Sequence, residues 1–203
     1  MALKTVHCAL QQPMAGVGRD APILHAILCR QPQGARRQRS QPRSFRRQIV
    51  KMHKIQDPHF AERVRANFAR QQAMTLVGAQ MLVVEPGYTE IHLPFKAEIC
   101  QQHGYIHGGV VGMIADSAAG YAASTLTAAD TAVLTVEYKI NLLAPAAGQW
   151  LIAEGSVVRH GRTLIVTRAE VFAIDQQRRT VCAIMQQTII AVPETPAVDR
   201  PAK

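Results

Sequence analysis

The order in which helical and strand-like segments follow one another most constrains how this 203-residue chain can fold. A first helix is predicted after Asp57 and Pro58, which suit a helix cap and the first helical position. Its apolar stripe repeats every four residues, and three arginines are expected on its wetter faces. The stripe consists of Phe60, Val64 and Phe68, and the arginines are Arg63, Arg65 and Arg70.

Two strands and a second helix are predicted next. The strands cover Thr75 to Glu85 and Tyr88 to Phe95, and a Pro-Gly turn separates them. The helix, over residues 110–125, is unusually rich in small residues. Small side chains would let a sheet wrap closely around this helix, and glycine inside a helix otherwise costs about 1 kcal/mol. Gly112 and Gly120 are therefore expected to serve close packing.

Four further strands are predicted over residues 132–143, 149–160, 162–174 and 180–192. The first of them alternates well, which predicts a single apolar face. That face would carry Leu134, Val136, Tyr138, Ile140 and Leu142. Because two helices accompany about six strands, repeated βαβ units are excluded. The fold class predicted is α+β, with one curved antiparallel sheet around a central helix.

The excess positive charge is confined to the first quarter of the chain. The net charge is +9, yet residues 1–51 hold ten Lys and Arg against one acid, and the remainder is balanced. Residues 1–51 lack apolar periodicity and are interpreted as a basic disordered segment, an over-long start or a targeting segment. The domain would then cover 52–193, followed by a polar tail over 194–203. The balanced body does not favour nucleic acid as a partner.

The segment from Gln101 to Asp116, QQHGYIHGGVVGMIAD, carries the most chemical information. It resembles the hotdog-fold acyl-CoA thioesterases of the phenylacetate-degradation (PaaI-like) group. In that family a Gln or Asn precedes an HGG by six residues, and an acid follows the His by nine. Gln101, His107 and Asp116 match both spacings. The resemblance spans residues 60–192 and implies a hotdog fold and hydrolysis of acyl-CoA to free acid and CoA.

The residues themselves support this chemistry. Gly108 and Gly109 stand where a helix would begin, so free backbone N–H groups favour an anion there. The Gly108 amide is a candidate oxyanion donor, of a kind that contributes about 3–4 kcal/mol to transition-state stabilisation. Asp116 falls inside an apolar helix, where it could act as a general base, as a nucleophile or as a structural hydrogen-bond anchor.

The distance between Gly108 and Asp116 favours a site shared by two chains. Eight residues on one helix span about 12 Å, which is too far for both groups to reach one carbonyl carbon. A second, antiparallel copy of the helix would bring Asp116 of one chain near Gly108 of the other. The family implies the same arrangement, so a homodimer or homotetramer is expected.

Further candidates come from the resemblance and from residue chemistry. Gln101 either binds substrate or orients water, or it satisfies loop backbone. His107 fixes the turn and could help to position the carbonyl. Thr135 aligns with a Ser or Thr that assists the nucleophilic water, although an ordinary strand threonine fits equally. The turn with Arg159, Gly161 and Arg162 either contacts CoA phosphates or is a solvated hairpin tip.

Two classes of function therefore remain open. The first is an acyl-CoA thioesterase that needs no metal and no cofactor. The second is a non-catalytic acyl-CoA-binding or ligand-sensing hotdog module. The longest apolar runs are too short for a membrane helix, so a cytoplasmic protein is expected, with organellar targeting by the basic segment left open. The acyl group and the pathway are not predicted.

Overall fold

A computed structural model describes residues 54–194 of the chain. The predicted basic segment and nearly all of the polar tail lie outside the described residues. Three helices, one short 3-10 turn (Ala97–Ile99) and six strands make up the described part. The helices are α1 Phe60–Ala69, α2 Gln72–Val77 and α3 Gly108–Ser124. The strands are β1 Gln80–Glu85, β2 Tyr88–Pro94, β3 Thr131–Leu142, β4 Trp150–His160, β5 Leu164–Asp175 and β6 Arg178–Pro193.

All six strands form one antiparallel sheet in the order β1-β2-β4-β5-β6-β3. The sheet wraps around α3, which packs against five of its strands. The helix face toward the sheet consists of small or branched apolar residues that are almost fully buried. This arrangement confirms the predicted α+β class with a curved sheet around a central helix. No helix within residues 54–194 is long and apolar enough to cross a bilayer.

Close packing between sheet and helix depends on a glycine of the sheet. Gly155 of β4 lies directly against the α3 backbone at Ala118. A Cβ at Gly112 would make only ordinary contacts, and one at Gly120 would meet nothing within 4 Å. The expectation that Gly112 and Gly120 let the chain's own sheet approach the helix closely is therefore wrong. Ala115, Ala118 and other α3 alanines provide the small buried surface instead.

The first predicted strand begins as the end of a helix. Residues 72–77 form α2, which ends where Gly78 adopts a left-handed conformation with φ of 79°. Only Gln80–Glu85 is strand. The apolar run around Leu76 is ambiguous between helix and strand because it is too short for periodicity to decide. Glycine at 78 permits the reversal that ends the helix and begins the strand.

A β-bulge in β3 divides the apolar face that the sequence predicted. The pairing of β3 with β6 shifts between Thr135 and Glu137, so Val136 is the extra residue. Thr135 and Tyr138 consequently both lie opposite inward-facing β6 residues that are fully buried. Leu134 lies on the other face of the sheet from Tyr138. A period of two cannot reveal such a shift, because one inserted residue reverses the alternation.

The end of α3 is held by an arginine from α1. The Arg63 guanidinium donates to the carbonyl oxygens of Ser124 and Thr127, both at 3.1 Å, and to Asp57 at 2.8 Å. The Arg63 side chain is only 20% exposed, so its predicted place on a wetter face is wrong. The Ser124 carbonyl is one of those that every helix leaves free at its C-terminal end, and Thr127 lies in the turn that follows.

Candidate active site

Asp116 lies at the middle of α3, half-buried, on a stretch of helix that the chain's own sheet does not cover completely. Its Oδ1 atom accepts a hydrogen bond from the Thr135 hydroxyl at 2.7 Å. The same oxygen accepts a second hydrogen bond from Gln187 Nε2 at 3.0 Å. Among the described residues, no donor is bonded to Oδ2. The carboxylate is thus anchored through one oxygen and has the other one available.

Gln187 is a residue of this site that the sequence analysis missed. Its side chain, from β6, is fully buried and also donates to Thr135 Oγ1 at 3.2 Å. One sequence signal could have found it: Met185, Gln187 and Ile189 alternate on one strand face, so an amide stands among core residues. That signal is weak, because Ile184 and Ile190 make the opposite face of β6 apolar too.

The HGG turn forms the start of α3. His107 is the residue before the helix, and its Nδ1 accepts from the Gly109 amide at 2.9 Å. The ring proton of a neutral His107 therefore lies on Nε2. The Gly109 N–H is occupied by this bond, whereas no described residue accepts a hydrogen bond from the Gly108 N–H. Gly108 is consequently the amide that can donate to an anion at this end of the helix.

Gln101 holds the loop before the HGG turn. Its side-chain Oε1 accepts from the His103 amide, and its own backbone pairs with Tyr105 and Gly104. Gln101 thus hydrogen-bonds to the loop backbone, which is one of the two roles that the sequence left open. No described residue accepts from Gln101 Nε2, so that amide group remains able to donate to a ligand.

Within one chain, the site residues fall into two groups at different points along α3. Gly108 lies near Leu142 at the end of β3, while Asp116 lies beside Thr135, nearer the beginning of that strand. Because α3 and β3 run in opposite directions, the structure does not bring Gly108 and Asp116 together in one chain. Their separation follows from helix geometry, at about 1.5 Å per residue.

The β4–β5 hairpin forms a third group. Its turn consists of Gly161, Arg162 and Thr163, and the Gly161 amide donates to the Leu164 carbonyl at 3.0 Å. The flanking strand residues Val157 and Ile165 pack with Ala122 near the C-terminal end of α3. The exposed Arg159 and Arg162 therefore lie at the end of α3 opposite to Gly108.

The hydrogen-bond partners of Asp116 among the described residues are neutral side chains. No cluster of three or more His, Cys, Asp or Glu side chains within residues 54–194 could hold a metal ion. The nearest polar partners of Asp116 are a hydroxyl and an amide, which are neutral hydrogen-bond donors. The arrangement orients one carboxylate oxygen and leaves the other without a donor among the described residues, a geometry that a general base or nucleophile can use.

The curved sheet around α3 defines a hotdog fold, and comparisons with known proteins agree on the fold. A family model described as the thioesterase superfamily matches residues 103–180, which include His107, Asp116 and Thr135. A thioesterase family protein from Silicibacter pomeroyi superposes with a TM-score of 0.66 at 40% identity, covering 66% of this chain and 99% of that one.

Two further relatives are similar over shorter or more distant matches. A protein of Saccharolobus solfataricus, named provisionally as an esterase, is 33% identical over 99 residues, covering 49% of this chain and 70% of that protein. The Escherichia coli PaaI protein shares the fold, with a TM-score of 0.59 at 22% identity over 67% of this chain and 95% of its own. The chain belongs to the thioesterase superfamily, and its relatives support a hydrolase.

Proposed function

We propose that the chain hydrolyses acyl-CoA thioesters to a free carboxylic acid and CoA. The observation that carries the proposal is the Asp116 carboxylate, fixed through Oδ1 by Thr135 and Gln187 with Oδ2 left available. A relative from Listeria monocytogenes named 1,4-dihydroxy-2-naphthoyl-CoA hydrolase, 26% identical over 52% of this chain and 85% of that protein, supports CoA thioesters as the substrate class.

The chemistry needs only groups of this chain. Asp116 either removes a proton from water as the water oxygen attacks the thioester carbonyl, or attacks that carbonyl itself. In both routes the carbon–sulfur bond breaks, and the CoA thiolate leaves and takes up a proton. In the second route the acyl group stays on Asp116 as an anhydride, which water then hydrolyses to the free acid and the original carboxylate. Thr135 assists by holding the carboxylate through the hydrogen bond of its hydroxyl to Oδ1.

The negative charge that develops on the carbonyl oxygen requires a donor, and Gly108 is our candidate. Its free N–H points from the positive end of α3, where the helix dipole favours an anion. His107 shapes this turn by accepting from Gly109, and Gly109 supplies the close backbone approach. The Nε2 group of Gln101 would bind the thioester or orient water from the preceding loop.

Asp116 and Gly108 can act on one carbonyl only if they come from two chains. The edges of the sheet favour β3 as the contact between them. At the β1 edge, a strand of six residues is short, and Arg65 covers the Met81 and Leu82 carbonyls. At the other edge, β3 is twelve residues long and has no strand beyond it among residues 54–194.

The exposed side chains of β3 strengthen this assignment. Leu134 and Val136 are each 58% exposed, and Tyr138 and Leu142 are about half exposed as well. A long edge strand with exposed apolar residues is a template for pairing with another chain. Antiparallel pairing of two β3 strands would set α3 of each copy antiparallel to the other, and so carry Gly108 of one toward Asp116 of its partner.

The same pairing would bring the β4–β5 hairpin into the site. Because that hairpin lies at the far end of its own α3, it would stand near Gly108 of the partner. Arg159 and Arg162 would then meet the phosphates of CoA, and Gly161 would keep the turn tight.

The test compares Asp116→Asn with the wild-type protein on a panel of aryl and medium-chain acyl-CoAs, with release of free thiol as the readout. We expect a fall in kcat of about 1,000-fold or more, with circular dichroism unchanged. The matched control is Glu62→Gln, the same chemical change on the exposed face of α1. Equal rates for Asp116→Asn and wild type would reject the proposal, as would binding of acyl-CoA by a wild-type protein that hydrolyses none of the panel.

A further inference from the structure

The buried amide of Gln187 is costly to the fold and is placed where it acts on Asp116. The side chain is fully buried, and its Oε1 atom has no hydrogen-bond partner within the described part of the chain. Burial of an unpaired carbonyl oxygen destabilises a protein, so an apolar residue at this position would serve stability better. A buried amide with an unpaired oxygen therefore indicates a functional demand at this position.

The hydrogen bonds of Gln187 Nε2 connect this buried amide to Asp116 and Thr135. Nε2 donates to Asp116 Oδ1 at 3.0 Å and to Thr135 Oγ1 at 3.2 Å. Because these two oxygens lie only 2.7 Å apart, they share one N–H group of the amide. Thr135 donates its single hydroxyl hydrogen to the same Oδ1. The three side chains thus form a closed ring of hydrogen bonds around Asp116 Oδ1, Thr135 Oγ1 and Gln187 Nε2.

The orientation of the amide is fixed by this ring. If its oxygen and nitrogen were exchanged, a carbonyl oxygen would face the Asp116 carboxylate, which is repulsive. The bulge at Val136 also contributes, because it turns both Thr135 and Tyr138 toward the inner face and so places Thr135 beside Gln187. Gln187 itself pairs with Tyr138 across the strands.

We propose that Gln187 is a positioning residue that holds Asp116 in one orientation, with Oδ2 directed at the substrate. The proposal rests on the function proposed above for Asp116. Gln187 is sealed from solvent, so it acts through Asp116 and Thr135 and touches no substrate. A side chain with that role should influence the rate of the chemical step and leave substrate binding unaltered.

The first variant is Gln187→Met, which keeps the length of the side chain and removes both donors. We expect kcat to fall about 10- to 100-fold with KM changed less than about twofold, because a misplaced catalytic group lowers the chemical step. We also expect an unchanged or higher Tm, since an unpaired buried oxygen is removed. The matched control is Gln186→Met, the neighbouring glutamine, which is exposed on the opposite face of β6.

The second variant is Gln187→Glu, which preserves shape and places a second carboxyl group beside Asp116. Two adjacent carboxylates resist being charged together, so the acidic limb of the kcat/KM profile should move to higher pH. An unchanged limb would show that the side chain at position 187 does not contact the catalytic carboxylate, and would overturn the positioning role.

A crystal structure of Gln187→Met provides a readout that does not depend on activity. We expect the Asp116 carboxylate to leave its single orientation, by rotation or by occupying two conformers. A carboxylate that stays in place, or a wild-type kcat in Gln187→Met, overturns the positioning role. Failure of the proposed function looks different: Asp116→Asn would then remain active, whatever Gln187→Met does.

Discussion

Gly155 of β4 and Ala118 of α3 meet so closely that a methyl group on Gly155 would lie 2.3 Å from the Ala118 carbonyl carbon. The obstructing atoms belong to the helix backbone, which cannot move aside as a flexible side chain could. Thr89 fixes the same carbonyl group with a hydrogen bond of 2.6 Å. This contact therefore sets the distance between the sheet and the helix that carries Asp116, two residues away.

We expect Gly155→Ala to lower the free energy of unfolding by about 2–3 kcal/mol, because overpacking against backbone forces the helix outward. Urea unfolding followed by circular dichroism measures the change. The control is Ser156→Ala, a small change at the next residue, on the outer face of β4, which should alter the free energy of unfolding by about 0.5 kcal/mol or less. A Gly155→Ala protein as stable as the control would contradict the close contact.

Asp57 makes the stability of the fold depend on pH. The hydrogen bond from the Arg63 guanidinium, followed by that from the His59 amide, lowers the pKa of Asp57 below its ordinary value of 3.8. A carboxyl group with a lowered pKa in the folded state adds stability above its unfolded pKa, and this contribution is lost as the pH falls through the folded pKa.

Urea unfolding of wild type and Asp57→Asn over a pH series measures this contribution. We expect wild type to be the more stable protein at neutral pH, and the difference in the free energy of unfolding to shrink below about pH 4. Asp57→Asn keeps the shape of the side chain, so packing is matched between the two proteins. A difference that stays constant down to about pH 2 would show that the Asp57–Arg63 pair does not titrate as proposed.

A charged residue introduced into β3 tests whether this edge strand is the interface between two chains. If β3 pairs with a second copy, Leu134→Glu should shift the protein toward monomer, because a carboxylate in an apolar interface is left without a partner. Analytical ultracentrifugation measures the shift, and thioesterase activity should fall with it. The control is Leu76→Glu on α2, where the leucine is 82% exposed and distant from β3 along the sheet. An unchanged oligomer in Leu134→Glu would place the interface elsewhere.

Much of the fold follows from local pattern. The order of elements and the small-residue helix were predictable, because both depend on composition and spacing within single segments. The start of α3 at His107 and Gly108 was predictable from the HGG turn. The α2 helix was missed because its apolar run resembles a strand until Gly78 reverses the backbone.

What the sequence could not provide are relations between distant strands. The bulge at Val136 depends on how β3 pairs with β6, and only that pairing shows that Gln187 faces Asp116 while Gln186 faces outward. Arg63 was likewise placed on a wetter face, because periodicity within α1 does not reveal that its guanidinium reaches the end of α3. Contacts between side chains of different helices and strands can be predicted only when the pairing of those elements in three dimensions is known.

A test of the site shared by two chains needs a variant that removes the Gly108 N–H without disturbing the turn. Gly108 is the first residue of α3, and His107 before it has φ −59° and ψ 137°, which suits a residue preceding proline. Gly108→Pro therefore deletes the proposed oxyanion donor at a position that accepts proline. Gly108→Ala is its control, since it introduces the same Cβ near Leu142 and keeps the N–H.

Mixing two inactive variants tests the central claim most directly. Asp116→Asn and Gly108→Pro are unfolded together, refolded as a mixture and assayed for thiol release from an acyl-CoA that wild type hydrolyses. If each site joins Asp116 of one chain to Gly108 of its partner, random pairing restores about a quarter of the wild-type activity, through one intact site in each mixed dimer. If the mixture stays as inactive as its two components, while refolded wild type recovers, the two groups do not meet across an interface and the account is contradicted.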